Sequence, residues 1–275
     1  MERRGGNRLL TASSAILAGA LTLSGSVGLE SAHSEVSLLI PSSHTLIIPD
    51  ISTTEKYCPQ PVVLFEDGLS GSRDGHLDRA FFQSITTTAE SFNTPIHSVI
   101  AENLKDPEKK EALTKLRASL EQAADQNQQT ILMGYSMGSR IMVEFLAFLI
   151  DPSSEYYNPR LLDTVAAGIF VAGRNNNSSY ASYHPELPNY GEHYRTGISP
   201  EILDMLKTRF QGSLFAFAEP DDDTVPMSQT RQLAEELGAD FILVDAPGSH
   251  FVSRESGVKI AEKLETVLTK SKASC

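Results

Sequence analysis

The chain has 275 residues, 40% of them hydrophobic and 21% charged, which are the proportions of an ordinary globular protein. They exclude a collagen, a coiled-coil rod, a polytopic membrane protein and a mostly disordered chain. A formal net charge of −12 repels phosphate backbones and argues against a nucleic-acid partner. The two cysteines, Cys58 and Cys275, can form at most one bridge. A disulfide-built scaffold and a cysteine-ligated zinc site are therefore excluded.

The first 34 residues differ from the rest of the chain. Arg3, Arg4 and Arg8 precede an apolar stretch, residues 9–29, that carries no charge. Basic residues followed by an apolar run predict a secretory signal peptide. The run is also long enough for an uncleaved membrane anchor, although serine, threonine and glycine dilute it. A loose cytosolic tail is a third interpretation. We therefore expect a secreted or periplasmic protein, or alternatively an anchored one, with residues 1–34 separate from a domain at 35–275.

Short apolar runs alternate with helical patterns along the remaining chain. Residues 36–40 and 45–48 are β-rich and predict an opening hairpin or edge strands. Six further strands are predicted at residues 61–65, 96–101, 130–134, 164–172, 213–218 and 241–245. Helices are predicted between and after them at residues 76–92, 107–124, 137–150, 201–210, 229–237 and 255–268. This alternation predicts one α/β domain with a mostly parallel central sheet and helices on both faces.

The sharpest local motif is Gly134-Tyr135-Ser136-Met137-Gly138. It lies where a predicted strand turns into a helix that is apolar on most sides. Glycines there allow a tight turn that projects the Ser136 hydroxyl beyond the carboxyl end of the sheet. The alternative is an ordinary strand-to-helix turn, because the five-residue pattern alone is weakly specific. In this context we interpret Ser136 as a nucleophile.

A serine nucleophile needs a histidine base. The seven candidates are His33, His44, His76, His97, His184, His193 and His250. Of these, His250 follows a late predicted strand through a short loop, residues 246–249. In a parallel sheet this loop lies at the same edge as Ser136, so we predict that His250 is the base, the alternative being a surface loop histidine.

The histidine in turn needs a carboxylate that orients its ring. The strand at residues 213–218 ends in an acidic loop with three adjacent aspartates, Asp221, Asp222 and Asp223. At least one of them is expected to be solvated, since adjacent negative charges repel. Chemistry alone does not decide which one points inward.

Three motifs together resemble the α/β-hydrolases. They are the pentapeptide around Ser136, the Asp-x-x-Val-Pro match at residues 222–226, and Gly248-Ser249-His250. Their order of Ser, Asp and His is the order of that family, and residues 61–268 are similar to small dienelactone hydrolases and short carboxylesterases that lack a large lid. The resemblance implies Asp222 as the acid, and the backbone N–H groups of Leu69 and Met137 as the oxyanion hole.

One position departs from the family pattern. The family commonly has His-Gly after the first of these strands, whereas this chain has Asp67-Gly68 preceded by Glu66. Backbone N–H groups form an oxyanion hole, so the side-chain change need not abolish it. Two acids beside a developing oxyanion are unfavourable unless they point away or pair, and Arg73 is a candidate partner.

The polar, tyrosine-rich segment at residues 174–199 follows a strand end and could line a pocket, or pack on itself. From these residues and the resemblance we expect an exported serine hydrolase that acts on a small-molecule acyl substrate through an acyl-enzyme. We expect no cofactor, no metal and no nucleic acid, with membrane contact only through an uncleaved N-terminus. The alternatives are an acyltransferase with the same triad and a non-catalytic binding protein.

Overall fold

Six parallel strands form the centre of the computed structural model, which describes residues 59–68, 80–99, 110–175, 197–247 and 249–273. All of these belong to one compact unit, Thr53–Cys275. The predicted leader and the predicted strands at 36–40 and 45–48 lie outside the described residues. In the described ranges, no helix is both long and apolar enough to cross a membrane.

The strands occupy the apolar runs of the sequence. They are β1 Val62–Glu66, β2 Ile96–Ser98, β3 Thr130–Tyr135, β4 Val165–Val171, β5 Ser213–Ala218 and β6 Asp240–Leu243. The α-helices are α1 Ala80–Ser91, α2 Lys110–Asp125, α3 Met137–Ile150, α4 Pro200–Arg209, α5 Met227–Leu237 and α6 Arg254–Ala273. A 3₁₀ helix, Pro159–Thr164, precedes β4. The predicted α/β class with a parallel sheet is confirmed.

The sheet order is β2-β1-β3-β4-β5-β6. The chain moves outward from β1 to β2, then returns across β1 and continues in the other direction from β3 to β6. The order therefore reverses beside β1 and β3. In open parallel sheets, the crevice at the carboxyl ends of the strands on either side of such a reversal is where ligands bind.

Each face of the sheet carries its own core because side chains alternate along a strand. Val62, Leu64 and Leu132 pack with α2, α3, α4 and α5 on one face. Val63 and Phe65 pack with α1 and α6 on the other face. Both faces are covered, which explains why the strand sequences are apolar runs rather than alternating patterns.

Element ends differ from the prediction at the sheet edges. The edge strand β2 ends at Ser98 rather than residue 101; its three residues are only partly buried or exposed, and β1 is its one neighbour among the described strands. Helix α6 runs to Ala273 instead of residue 268. Its last turns pack on α1, where the Lys272 ammonium lies 4.6 Å from the centre of the Phe92 ring. The 3₁₀ helix before β4 was not predicted.

Candidate active site

Ser136 lies in a strained turn between β3 and α3. Its backbone has φ 53° and ψ −116°, a conformation that non-glycine residues rarely adopt. A methyl group on Gly134 would overlap the backbone of Ser139, and one on Gly138 would overlap the carbonyl oxygen of Glu66. The Ser136 N–H donates to the Val171 carbonyl at 2.7 Å, which ties the turn to β4. The two glycines of the motif therefore have a steric role.

His250 reaches Ser136 from the loop between β6 and α6. The distance from His250 Nε2 to Ser136 Oγ is 3.1 Å. The backbone of His250 also has a positive φ, 59°, and so does that of Phe251, 56°. The Tyr135 hydroxyl donates to the His250 carbonyl at 2.8 Å, so the residue before the serine helps to hold the histidine loop.

Asp222 is the aspartate of the acidic loop that contacts the histidine. Its Oδ2 and Oδ1 atoms lie 2.9 Å and 3.1 Å from His250 Nδ1. Oδ1 also accepts the N–H groups of Thr224 at 2.9 Å and Val225 at 2.8 Å. Only 1% of the Asp222 side chain is exposed. A buried carboxylate with these donors is held rigidly against the imidazole.

The neighbouring aspartates have different surroundings. Asp221 is exposed. Asp223 is exposed as well, yet it is more than a solvated charge, because its Oδ1 accepts the Ser249 hydroxyl at 2.9 Å and its N–H donates to Ser249 Oγ at 3.2 Å. Hydrogen bonds from the Ser249 and Thr224 hydroxyls lower the pKa of Asp223. Asp223 thus holds Ser249, the residue before the histidine. The sequence did not indicate this contact.

The structure brings the Ser136 hydroxyl, the His250 ring and the Asp222 carboxylate into one hydrogen-bonded row. They come from the ends of β3, β6 and β5, which lie at one edge of the sheet. Such a row can move a proton from the hydroxyl to the imidazole while the carboxylate stabilises the resulting positive charge.

The segment after β1 borders the serine. The Gly68 N–H donates to Asp67 Oδ1 at 2.5 Å. A Cβ added to Gly68 would lie 3.2 Å from Ser136 Cβ, so this backbone passes directly beside the nucleophile. Glu66 and Asp67 are both only 4% exposed. Two buried acids thus directly precede the backbone that passes beside the nucleophile.

Of the two predicted oxyanion-hole residues, Met137 is described by the structure and Leu69 is not. Met137 is the first residue of α3, so its N–H is one of the helix-terminal donors that have no acceptor within the helix. Leu69 lies outside the described residues, as do Arg73 and positions 176–196 of the tyrosine-rich segment.

Glu219 is a site residue that the sequence analysis did not single out. It directly follows β5 and is 1% exposed. It accepts the Phe251 N–H at 2.7 Å and the Ser256 hydroxyl at 2.5 Å. Burial raises the pKa of Glu219, while these two donors act in the opposite direction. The sequence signal that could have indicated Glu219 is its position as the first charged residue after an apolar strand.

No group of three or more histidine, cysteine, aspartate or glutamate side chains able to hold a metal ion occurs among the described residues.

Comparison of the sequence with known protein families and with curated proteins finds no match. Solved structures, in contrast, are similar over most of the chain. The ydeN gene product from B. subtilis has a TM-score of 0.54 at 18% identity, covering 78% of this chain and 100% of its own. Est1E from Butyrivibrio proteoclasticus with bound ferulic acid has a TM-score of 0.55 at 13% identity, covering 80% and 92%.

A third similar structure is the esterase domain of a Rhodothermus marinus protein, with a TM-score of 0.50 at 15% identity, covering 77% of this chain and 87% of that domain. An α/β-hydrolase superfamily protein from Enterococcus faecalis has a TM-score of 0.51 at 13% identity, covering 78% and 92%. The resemblance drawn from the three sequence motifs is thereby confirmed for the fold. The chain has the α/β-hydrolase fold.

Proposed function

We propose that this protein is an exported serine hydrolase that cleaves an ester or a related acyl bond. The observation that carries the proposal is the hydrogen-bonded row from Ser136 Oγ through His250 to Asp222, with distances of 3.1 Å and 2.9 Å. The strained turn at Ser136 supports it, because a backbone with φ 53° at this position presents the hydroxyl to an incoming carbonyl group. An esterase domain with the same fold is consistent with the proposal.

In the first half-reaction Ser136 Oγ attacks the carbonyl carbon of the substrate, and its proton passes to His250 Nε2. The carbonyl oxygen becomes an oxyanion, and the family resemblance implies the N–H groups of Met137 and Leu69 as the donors that stabilise it. The bond from the carbon to the leaving oxygen then breaks, and Nε2 returns the proton to that oxygen. The product is an alcohol and an acyl-Ser136 ester.

In the second half-reaction a water molecule attacks the acyl carbon and gives one proton to His250 Nε2. The bond to Ser136 Oγ breaks, and Oγ takes this proton back as the carboxylic acid leaves. Asp222 keeps the Nδ1–H in place and stabilises the imidazolium in both halves. An alcohol in place of water would make the same residues an acyltransferase, so product analysis decides between the two activities.

A non-catalytic binding protein is the second candidate. The observation that favours it is the buried Asp67 carboxylate, which takes the Gly68 N–H beside Ser136. A negative charge there opposes an oxyanion and would leave Ser136 unreactive. The two candidates differ in one measurable property, the reactivity of Ser136 towards an electrophile.

Labelling with a fluorophosphonate, followed by peptide mapping, tests the proposal. We expect the wild-type protein to be labelled at Ser136 and to hydrolyse p-nitrophenyl acetate, and Ser136→Ala to lose both properties. The matched control is Ser153→Ala, since Ser153 is exposed and remote in sequence from the site. Both variants should unfold within a few degrees of the wild-type protein. A folded wild-type protein that resists labelling would favour the binding protein.

Export is the second part of the proposal and rests on the three arginines that precede the uncharged residues 9–29. Mass spectrometry of the native protein tests it. A mature N-terminus near residue 34, or a membrane-bound full-length chain, supports export or anchoring. An intact Met1 on protein from the cytoplasm would contradict it.

A further inference from the structure

The peptide group between His250 and Phe251 is held at both of its polar ends. Its carbonyl oxygen accepts the Tyr135 hydroxyl at 2.8 Å, and its N–H donates to Glu219 Oε2 at 2.7 Å. Tyr135 is the last residue of β3, and Glu219 directly follows β5. The base is thus attached to the sheet through its own backbone, in addition to the contact between its ring and Asp222.

This backbone attachment holds the loop in an unfavourable conformation. His250 and Phe251 have consecutive positive φ angles of 59° and 56°. Neither residue is a glycine, and two adjacent residues in this region persist only where the surroundings hold them. The bonds from Tyr135 and Glu219 act on the peptide group between the two strained residues. Loss of either bond would release the strain and move the imidazole away from Ser136.

Both carboxylate oxygens of Glu219 are used. Oε2 accepts the Phe251 N–H, and Oε1 accepts the Ser256 hydroxyl at 2.5 Å. The Ser256 hydroxyl also lies 2.8 Å from Ser253 Oγ, and because its own proton goes to Glu219, it accepts the Ser253 hydroxyl. Glu219 therefore links the histidine loop to the first turn of α6.

Two charged groups act on Glu219 within the described part of the chain. From its own loop, the Asp222 carboxylate raises the pKa of Glu219, and from the facing loop His250 lowers it. Helix α6 contributes the neutral Ser256 hydroxyl. Glu219 and Asp222 thus place two carboxylates around one imidazole, and both interact more favourably with its protonated form.

We propose that Glu219 is a positioning residue for the reaction: it holds the His250–Phe251 peptide group, and its charge joins that of Asp222 in stabilising the imidazolium. This inference rests on the proposed hydrolase function. Glu219 touches neither substrate nor nucleophile in this role and acts only through His250.

Glu219→Gln removes the negative charge of this side chain and keeps its size. The glutamine oxygen can still accept the Phe251 N–H, and its amide can donate to Ser256 Oγ if the Ser256 hydroxyl turns towards Ser253. We expect kcat to fall by about tenfold with KM within about twofold, because the imidazolium forms only during turnover. The acidic limb of the pH profile of kcat/KM should move lower by roughly half to one pH unit, as expected for the loss of a nearby negative charge.

The matched control is Glu255→Gln, which removes an exposed carboxylate from the first turn of α6. It should leave kcat and the pH profile unchanged. Tyr135→Phe releases the other end of the same peptide group without changing a charge. It should lower kcat about fivefold and leave the acidic limb in place, since one neutral hydrogen bond is lost. This variant also tests the attachment if Glu219→Gln does not fold.

Wild-type kcat and an unmoved acidic limb in folded Glu219→Gln would overturn the inference, as would wild-type kcat in Tyr135→Phe. A wild-type protein that resists fluorophosphonate would instead contradict the proposed function. Proton NMR of the His250 Nδ1–H then tests Glu219 without turnover. We expect this signal to shift or broaden in Glu219→Gln and to keep its position in Glu255→Gln; an identical signal in all three proteins would overturn the inference.

Discussion

The segment after β1 and the loop after β5 both bring buried carboxylates to the carboxyl edge of the sheet. In the loop after β5, three acids hold three successive residues: Asp223 binds Ser249, Asp222 binds the His250 ring, and Glu219 binds the Phe251 N–H. After β1, in contrast, the Asp67 carboxylate binds the N–H of the adjacent Gly68 beside Ser136.

The difference lies in what each carboxylate faces. After β5 the acids face N–H and O–H donors of the histidine loop, and their charge favours an imidazolium. After β1 the acids are buried in the segment that borders Ser136, and a negative charge near the nucleophile disfavours an oxyanion on the substrate. The carboxylates after β5 are therefore predicted to speed the reaction of Ser136, and those after β1 to slow it.

The strongest test of the comparison is Asp222→Asn. It leaves the imidazole without a charged partner at Nδ1 and allows the wrong tautomer. In a serine protease the equivalent change costs about four orders of magnitude in turnover. We expect a loss of roughly two to four orders in kcat/KM here, because Glu219, which also interacts with His250, remains and can partly substitute. Hydrolysis of p-nitrophenyl acetate measures it. A loss below about tenfold would mean that no single carboxylate orients His250.

Asp67→Asn, in contrast to Asp222→Asn, should increase the reactivity of Ser136. The asparagine oxygen can still accept the Gly68 N–H, so the variant removes the charge and keeps the local hydrogen bond. We expect fluorophosphonate labelling to become about three- to tenfold faster, as for removal of a partly screened like charge near the oxyanion. Asp204→Asn, on the exposed side of α4, is the control and should label at the wild-type rate. Slower labelling of Asp67→Asn would show that its carboxylate supports the site.

Asp223→Asn and Asp221→Asn compare the contributions of the two exposed aspartates of the acidic loop to kcat/KM. Asp223 accepts the Ser249 hydroxyl, so its replacement should lower kcat/KM by about two- to threefold, the scale of one exposed hydrogen bond. Asp221 is exposed, and its replacement should change kcat/KM less than Asp223→Asn does. Steady-state kinetics on one ester compares the two directly. If Asp221→Asn were the crippling change, the aspartate that orients His250 would have been assigned one position too late.

The smallest expected effect is on stability and concerns Glu219. Burial raises the pKa of Glu219 above its ordinary value of 4.5, so the folded state takes up this proton more readily than the unfolded chain. The Glu219 contribution to stability is therefore fully present below pH 4.5 and is lost as the pH rises through the raised pKa. Glu219→Gln does not titrate.

Thermal unfolding of both proteins between about pH 4.5 and pH 8 measures this contribution. The melting temperature of the wild-type protein, relative to that of Glu219→Gln, should fall by a few degrees as the pH rises. The reverse trend would mean that the Phe251 and Ser256 donors stabilise the anion more than burial opposes it.

Much of the fold and of the candidate site followed from local patterns. All six strands of the described sheet were predicted, and the four inner ones are apolar runs because strands that are covered on both faces need no polar positions. Ser136 and His250 could be placed at one edge because all parallel strands end on the same side. The choice of Asp222 among three aspartates came from the spacing shared with the resembling family, and Asp222 is the one whose carboxylate contacts the His250 ring.

Other features depended on contacts between residues distant in the chain. The sequence did not indicate that Asp223 holds Ser249, that Tyr135 and Glu219 hold one peptide group, or that Gly68 lies against Ser136. Local sequence determined the strands, the helices and the strand ends, because backbone propensity and apolar periodicity act over a few residues. Only the tertiary structure decided which donor each carboxylate meets, because that depends on the strand order β2-β1-β3-β4-β5-β6, which brings separate loops together.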